Sequence, residues 1–345
     1  MQRDALRLFL RRLVLASLPL GGLAGCGQPA AGAADASAAL DGAGLVDASG
    51  PGEIGAGETW CPQRYVSGLV RRDLGNGPGG SFTETDCTWA CMEISRCGGG
   101  PAVNYADCGI RLVDLGLAAV GCNLAVRCGV TCGRRPAGLV PARVAAADSV
   151  AEQLALAAHL EAASVVAFER LAEELAAFGA PPALVAEARR AAADEVRHAR
   201  VMATRAERRG AIVPAVEVTP LGARTLVDLA VENAVEGCVG ETWGAVVAMW
   251  QGEMAGDREI RAAMRRIAGD EAGHGELAWQ VASWARTRLD DGTWATVIAL
   301  QRAAARQLAA QIEAQLSDGE VTVLGLPRPE QARRLMAGVA PRLWA

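Results

Sequence analysis

The sequence predicts a mainly α protein: a four-helix bundle with extra C-terminal helices, preceded by a small disulfide-rich module. Two observations support this fold class. From residue 148 onward, turn signals separate long segments in which apolar residues recur every three or four positions, the period of an amphipathic helix. Upstream, eight of the ten cysteines fall within residues 61–132, which is typical of a module held together by disulfide bonds.

Glycine and proline turns divide the helical half into segments. The four long helices of the predicted bundle are A (148–178), B (182–209), C (223–255) and D (258–289). The loop between B and C spans roughly 40 Å when extended, enough to cross the length of the bundle. Further helices are predicted at 293–316 and 328–343, so the bundle domain covers 143–320 and a C-terminal loop with a short helix covers 321–345.

Each long helix has carboxylate or Glu-x-x-His residues in the middle of its apolar stripe. These residues are Glu161 in A, Glu195 and His198 in B, Glu236 in C, and Glu271 and His274 in D. A buried carboxylate is costly unless it is paired or binds a metal, and residues three apart share one helix face. The two halves repeat the pattern at spacings of 34 and 35 residues. Four carboxylates and two imidazoles form a set that can hold two metal ions in a bundle core.

Residues 148–290 resemble the ferritin-like superfamily of di-iron carboxylate proteins, and the doubled Glu and Glu-x-x-His pattern is most similar to bacterioferritin and rubrerythrin. The resemblance implies that the six residues are the metal ligands, with Glu195 and Glu271 bridging and Glu161 and Glu236 terminal. It also implies that Asp194 and Asp270, which precede the two motifs, bind the histidines from outside the ligand set.

Some residues depart from the family pattern or fall off the stripes. Val239 stands where rubrerythrins have an extra carboxylate, and the helical half contains no tyrosine. Glu232 lies one turn before Glu236 and is a candidate for the outer part of the site. Glu241 is five residues after Glu236 and is predicted to point away from it by about 140°. His159 lies off the face of Glu161 and is predicted to be a surface or core residue.

The N-terminus has the pattern of a bacterial lipoprotein signal peptide. Arginines precede an apolar run from Leu13 to Leu23, which is too short to span a bilayer of about 30 Å. The run ends in Leu-Ala-Gly-Cys, which resembles a lipobox and implies that residues 1–25 are removed and Cys26 is lipidated. The predicted location is the bacterial cell envelope, facing the periplasm or in the outer membrane. The alternative is an ordinary secretory signal with a chance cysteine.

Residues 26–58 consist mainly of glycine, alanine, serine, proline and aspartate, and are predicted to form a flexible linker. The precursor carries a net charge of −5, and removal of residues 1–25, which carry +3, leaves about −8. Such an acidic chain without a basic patch argues against nucleic acid as a partner.

Residues 59–135 form the predicted disulfide module, whose connectivity the sequence leaves open. Its cysteines are Cys61, Cys87, Cys91, Cys97, Cys108, Cys122, Cys128 and Cys132. A zinc or haem site is disfavoured because no Cys-x-x-Cys pair occurs. Adhesion or binding of an unidentified protein partner is the default interpretation of this module. Residues 133–141 are predicted to link it to the bundle.

Oxygen and imidazole ligands suit iron best, with manganese or a mixed manganese–iron pair as alternatives. The leading hypothesis is an exported, lipid-anchored di-metal protein that reacts with O2 or peroxide as an oxidase or peroxidase, or that oxidises Fe(II). The second hypothesis is a non-enzymatic envelope protein with a structural or vestigial metal site. A third is an interaction protein in which the cysteine-rich module binds a partner and the bundle is its scaffold.

Overall fold

The computed structural model describes residues 5–19, four strands between residues 64 and 125, and residues 134–345 except for 141, 143, 145 and 313–315. The predicted lipidation site Cys26, the linker 26–58 and every module cysteine other than Cys122 lie outside the described residues. The predicted disulfides therefore stay a prediction.

The protein is mainly helical, as predicted. Its helices are α1 (Ala5–Ser17), α2 (Ser149–Ala177), α3 (Pro182–Arg208), α4 (Leu226–Glu232), α5 (Thr242–Met254), α6 (Arg258–Arg286), α7 (Asp291–Gln311), α8 (Asp318–Thr322) and α9 (Pro329–Leu343). Predicted segment C is not one α-helix, because a π-helical segment, Asn233–Glu241, lies between α4 and α5. The short helix α8 was not predicted.

The described residues of the predicted disulfide module form four strands: β1 (Arg64–Arg71), β2 (Ala102–Val103), β3 (Gly109–Val113) and β4 (Leu117–Ala125). Strand β4 pairs antiparallel with each of the other three, so it is central in the sheet. Cys122 lies opposite Val66 in this register. The sequence analysis did not predict this sheet.

Local signals at the helix ends explain where the long helices begin and end. The Asp148 side chain accepts a hydrogen bond from the Ala151 N–H at 2.7 Å and caps α2. Helix α2 ends at Gly179, whose φ of +70° suits glycine, and α3 begins at Pro182. Asp257 caps α6 by accepting hydrogen bonds from two backbone N–H groups.

Helix α2 packs along α3, the π-helical segment and α5 pack along α6, and α3 contacts α6. A shared apolar core joins the four long helical stretches and includes Phe168, Leu175, Leu184, Leu229 and Val281. Among the described helices, only α2 has the length and apolar composition of a membrane-spanning helix. However, 72% of that stretch is buried against the rest of the protein, as in the core helix of a globular domain.

The segment after the module pairs with the loop that joins the two helix pairs. Val140 N–H donates to Glu217 C=O at 2.8 Å, and Thr219 N–H donates to Gly138 C=O at 2.8 Å. Leu139 is buried in a small cluster on α2 against which Val216 and Val218 of the loop pack. The backbone hydrogen bonds hold the 210–221 loop along α2, and they place residue 134 next to the centre of the helices.

Helix α1 lies within the predicted signal peptide and packs on α5, α6 and α9. Its residues Leu6, Leu10 and Val14 are buried. Glycines permit the close approach, since a Cβ built on Gly275 would lie 3.1 Å from Leu6 Cδ2 and one on Gly338 would lie 2.2 Å from Leu13 Cδ1. The predicted removal of residues 1–25 would take this helix away.

Candidate metal centre

Two groups of buried carboxylates and histidines lie in the middle of the helices. In each group, one ligating atom from every residue lies within 4.8 Å of those of the others. The first group is Glu161, Glu195, His198 and Glu271, and the second is Glu195, Glu241, Glu271 and His274. Glu195 and Glu271 belong to both groups. The arrangement is therefore one site with two adjoining halves.

The first half is centred on the Nδ1 atom of His198. This atom lies 3.5 Å from Glu161 Oε2, 3.5 Å from Glu195 Oε2 and 3.2 Å from Glu271 Oε1. Helix α2 supplies Glu161, α3 supplies Glu195 and His198, and α6 supplies Glu271. All four were predicted ligands.

The second half is centred on the Nδ1 atom of His274, 3.0 Å from Glu195 Oε1 and 3.9 Å from Glu271 Oε1. Glu195 thus directs one carboxylate oxygen to each histidine. The third carboxylate of this half is Glu241, whose Oε2 lies 3.7 Å from the same imidazole nitrogen. The two imidazole rings are 5.9 Å apart between centroids.

The predicted ligand Glu236 lies apart from the two groups. Glu236 is only partly buried, belongs to neither group, and accepts a hydrogen bond from the Arg135 backbone N–H at 3.4 Å. Glu241, which was predicted to point away, is 1% exposed and faces His274 instead. The predicted angle of about 140° assumed an uninterrupted α-helix. In the π-helical segment a turn takes one extra residue, which moves the later residues of the stripe by one position.

Glycine makes the π-helical segment fit its surroundings. A Cβ on Gly237 would lie 2.7 Å from Ala278 Cβ, 2.8 Å from Arg134 Nη1 and 2.9 Å from Asn233 Oδ1. Asn233 is fully buried and donates to Ala278 C=O at 2.8 Å, which fastens the start of the segment to α6. The two glycines at 237 and 240 were the only local hint of an irregular helix in the sequence.

The two aspartates contact the histidines crosswise. Asp270 of the second motif is hydrogen-bonded to Nε2 of His198 at 3.1 Å, and Asp194 of the first motif lies 3.5 Å from Nε2 of His274. The Arg197 guanidinium pairs with Asp194 and lies 3.4 Å from Asp270, so it connects the two carboxylates on the outer side. A carboxylate at Nε2 favours the proton on that nitrogen and leaves the Nδ1 lone pair towards the cluster.

Burial and mutual repulsion raise the pKa values of two carboxyl groups. Desolvation and the neighbouring Glu195 raise the pKa of Glu161 to about 8. Desolvation raises the pKa of Glu241 to about 7, in spite of the nearby His274. Without metal, both groups hold protons near neutral pH.

The pKa values of the two histidines are raised, whereas burial alone would lower the pKa of an imidazole. Burial lowers the pKa of His198, but the Glu161, Glu195 and Glu271 carboxylates outweigh it and raise the pKa well above the usual value. Burial also lowers the pKa of His274, and the carboxylates of Asp194, Glu195 and Glu241 again outweigh it, so the pKa rises. Without metal, the imidazoles are therefore cations.

Several buried atoms that face the cluster lie near one another but form no hydrogen bond of good geometry. They are Glu195 Oε2, His198 Nδ1, Glu241 Oε1, Glu241 Oε2, Glu271 Oε1 and His274 Nδ1. Buried polar atoms are almost always paired, and a bound ion is one of the established reasons for an exception. The oxygen and imidazole donors of these residues suit a metal ion.

A buried arginine beside the cluster was missed by the sequence analysis, which assigned residue 134 to a linker. Arg134 is 1% exposed, lies 3.4 Å from Asn233 Oδ1 through Nη1, and places its guanidinium 5.4 Å from the centre of the Phe168 ring. That ring is in turn 5.0 Å from the His274 ring. The linker sequence has no periodic pattern from which the burial of this arginine could be predicted. Its position directly after the cysteine-rich module was the only signal.

The remaining polar candidates lie apart from the cluster. Glu232, a candidate for the outer part of the site, pairs with Arg224, which also lies 2.7 Å from Glu174. His159 is a core histidine, the second of the two predicted alternatives: its Nδ1 lies 3.2 Å from Pro214 C=O, and burial lowers its pKa. Burial raises the pKa of the Cys238 thiol to about 12, so this cysteine stays protonated.

Comparison with known proteins adds no relative: no protein-family model, no curated protein and no solved structure matches the chain. The functional argument therefore rests on the buried residues themselves.

Proposed function

We propose that the helical part of this protein is a ferritin-like four-helix bundle that binds two metal ions and carries out redox chemistry with O2 or peroxide. The supporting observation is the convergence of four buried carboxylates and two imidazoles in two adjoining groups that share Glu195 and Glu271. Iron is the first candidate and manganese, or one of each, the second, since the donors are oxygen and imidazole nitrogen without thiolate.

In this proposal each half of the site holds one ion. Glu161 and His198 would hold the ion of the first half, Glu241 and His274 that of the second, and Glu195 and Glu271 would serve both. Glu241 takes the terminal role that the resemblance had assigned to Glu236. The outer aspartates hold the imidazoles in the orientation that turns Nδ1 towards the ions.

Charge balance explains how the same residues are stable with and without metal. Four ionised carboxylates carry −4, which two divalent cations neutralise when both imidazoles are neutral. Without metal, protons on Glu161, Glu241, His198 and His274 give the same balance, in agreement with the raised pKa values of these groups. Metal binding is thus an exchange of about four protons for two cations.

Bound iron or manganese supplies the change of oxidation state that reduction of O2 or peroxide requires. The surrounding residues keep the site dry, since Glu195, Glu241, Glu271 and both histidines are each less than 5% exposed.

The cellular setting of the proposal rests on the sequence of the first 58 residues. Residues 1–25 direct export, Cys26 carries the lipid anchor to the membrane, and 26–58 act as a tether on the envelope. Cleavage before Cys26 would uncover the surface of α5, α6 and α9 on which α1 lies. The module at 59–135 is proposed to bind a protein partner.

The test uses the full-length protein, freed of metal and then loaded with Fe(II) without oxygen. We expect two iron ions per chain and a change in near-ultraviolet absorbance when O2 or peroxide is added. Replacing the shared ligand by E195Q should abolish binding of both ions because each half loses a carboxylate. The control E207Q removes an exposed carboxylate of the same helix and should behave as the wild type.

Less than half an equivalent of iron or manganese after reconstitution would contradict the proposal. Two bound ions without any spectral change on addition of O2 or peroxide would instead support the second hypothesis, a structural or vestigial site. The proton-balanced form of the cluster fits a vestigial site better than a structural one, because it allows the helices to fold without metal.

A further inference from the structure

A cavity of about 70 Å³ lies beside the carboxylate cluster. Glu161 and Glu271 are at its inner end, and most of its wall is apolar. The apolar wall residues are Leu154, Ala157, Leu160, Met202, Val247, Ala248, Ile260, Met264, Ile267, Leu324 and Leu326.

The cavity runs lengthwise between the helices. Its lining extends along α2 from Gln153 to Glu161, which is roughly 12 Å at the α-helical rise, and along α6 from Ile260 to Glu271, roughly 16 Å. It therefore leads from the end of the helices near α8 to two carboxylates of the site.

Hydrogen bonds hold the outer wall of the cavity in place. Gly256 N–H donates to Thr322 C=O at 2.9 Å, and Asp257 N–H donates to Val323 C=O at 3.2 Å. The Gln251 amide donates to Leu324 C=O at 2.9 Å, which fixes a wall residue of the segment after α8. The wall is thus tied to the same helices that carry the cluster.

Small residues leave the space open. Glu241, Gly244 and Ala248 lie three and four residues apart and therefore share one face of the helical stretch. The extra residue of the π-helical segment determines which residues fall on this face, and Gly244 and Ala248 line the cavity. Ala157 faces it from α2. Larger residues at these positions would fill a volume of this size.

We propose that this cavity admits a small, uncharged, apolar molecule to the Glu161 and Glu271 side of the centre, dioxygen or a molecule of similar size. The inference rests on the proposed function for its chemical meaning. The apolar wall makes a hydrated ion or a charged substrate unfavourable, because such a solute would lose its water without gaining partners. The volume is about half that of the roughly 150 Å³ apolar cavity that holds benzene, so an aromatic ring is too large.

The wall contains two glutamines, Gln153 and Gln251, whose uncharged side chains are consistent with this class of ligand. The Oε1 atom of Gln153 is buried without a hydrogen-bond partner at the outer end of the cavity. Its neutral amide adds no charge to the route. The carboxylates lie only at the inner end, where the chemistry is proposed.

The test uses xenon as an apolar probe on the full-length, metal-free protein, with methionine methyl groups labelled for NMR. Met202 and Met264 line the cavity, whereas Met336 is buried in α9 away from its lining, so it serves as an internal control. Xenon is expected to shift the first two methyl resonances and to leave Met336 unchanged. Absence of any shift at Met202 and Met264 would overturn the proposal.

A second arm fills the cavity with A157L and compares it with A176L, which adds the same volume on an exposed position of the same helix. In A157L the xenon-induced shifts should fall at least fivefold, and in the iron-loaded protein the rate of reaction with limiting O2 should fall at least fivefold at unchanged iron content. A176L should match the wild type. An iron-loaded A157L that reacts at the wild-type rate would contradict the route.

The two proposals fail in different ways. If the wild type binds no metal, the proposed function fails, while the xenon shifts still decide whether the cavity takes an apolar molecule. If the wild type binds iron and reacts with O2 but xenon causes no shift, only the cavity proposal fails.

Discussion

In the first helix pair, Glu161 meets Glu195 from a position 34 residues upstream, on an uninterrupted α-helix. In the second pair, Glu241 meets Glu271 from 30 residues upstream and stands at the end of a π-helical segment. The sequence repeat, in contrast, pairs Glu161 with Glu236. The two halves reach the same set of ligand types through different helix geometry, so equal spacing in a sequence does not guarantee an equal place in the structure.

Among the variants that compare the two halves, the largest effect is expected when each candidate carboxylate of the second half is replaced by glutamine. E241Q should weaken binding of one of the two ions by at least about 100-fold, because a buried ligand becomes a neutral amide in the centre of the site. The matched variant E236Q, five residues away in the same segment, should bind both ions as the wild type does. The measurement is metal stoichiometry and affinity by titration with Mn(II).

The opposite outcome, loss of one ion in E236Q and none in E241Q, would restore the symmetric assignment and contradict the role given to the π-helical segment. The variant E161Q tests the first half of the site in the same way. It should weaken binding of one ion about as much as E241Q does.

A smaller effect is expected from the glycine that lets the π-helical segment lie against α6. G237A should lower the free energy of unfolding by about 1–3 kcal/mol, because the added Cβ would meet Ala278, Arg134 and Asn233 at less than 3 Å. The control G273A adds the same methyl group to α6 at an exposed position with nothing within 4 Å. It should raise the free energy of unfolding by about 0.5–1 kcal/mol through helix propensity.

Chemical denaturation of the metal-free proteins measures both changes. Equal stabilisation by both substitutions would mean that the space around Gly237 is not restricted, and the close packing of the π-helical segment against α6 would be wrong.

The difference between the two helix pairs also shows which site residues could be predicted from the sequence. Glu161, Glu195, His198, Glu271 and His274 lie in regular α-helices, where rotation by about 100° per residue places a side chain from its position in the apolar stripe. Their convergence could therefore be predicted from periodicity. The mainly helical class and the long helices followed from the same signal.

Glu241 could not be placed in this way, because the extra residue of the π-helical segment leaves no periodic trace in so short a stretch. The only local sign was the pair Gly237 and Gly240. The burial of Arg134 could not be predicted, because this residue belongs to a linker whose sequence has no apolar periodicity. Helix α8 has five residues, Asp318–Thr322, too few for a periodic pattern to emerge.

The central claim is that two divalent cations replace about four protons in the shared cluster, and calorimetric titration of the metal-free, full-length protein with Mn(II) measures it directly. Titrations in buffers of different ionisation enthalpy count the released protons. Glu161 and Glu241 have pKa values raised to about 8 and 7, so both are protonated at pH 6 and largely ionised at pH 8.5.

We expect two Mn(II) per chain, with about four protons released at pH 6 and about two fewer at pH 8.5, and a metal affinity that rises with pH between these values. The absence of Mn(II) binding, a single bound ion, or a proton release that is the same at both pH values would contradict the account.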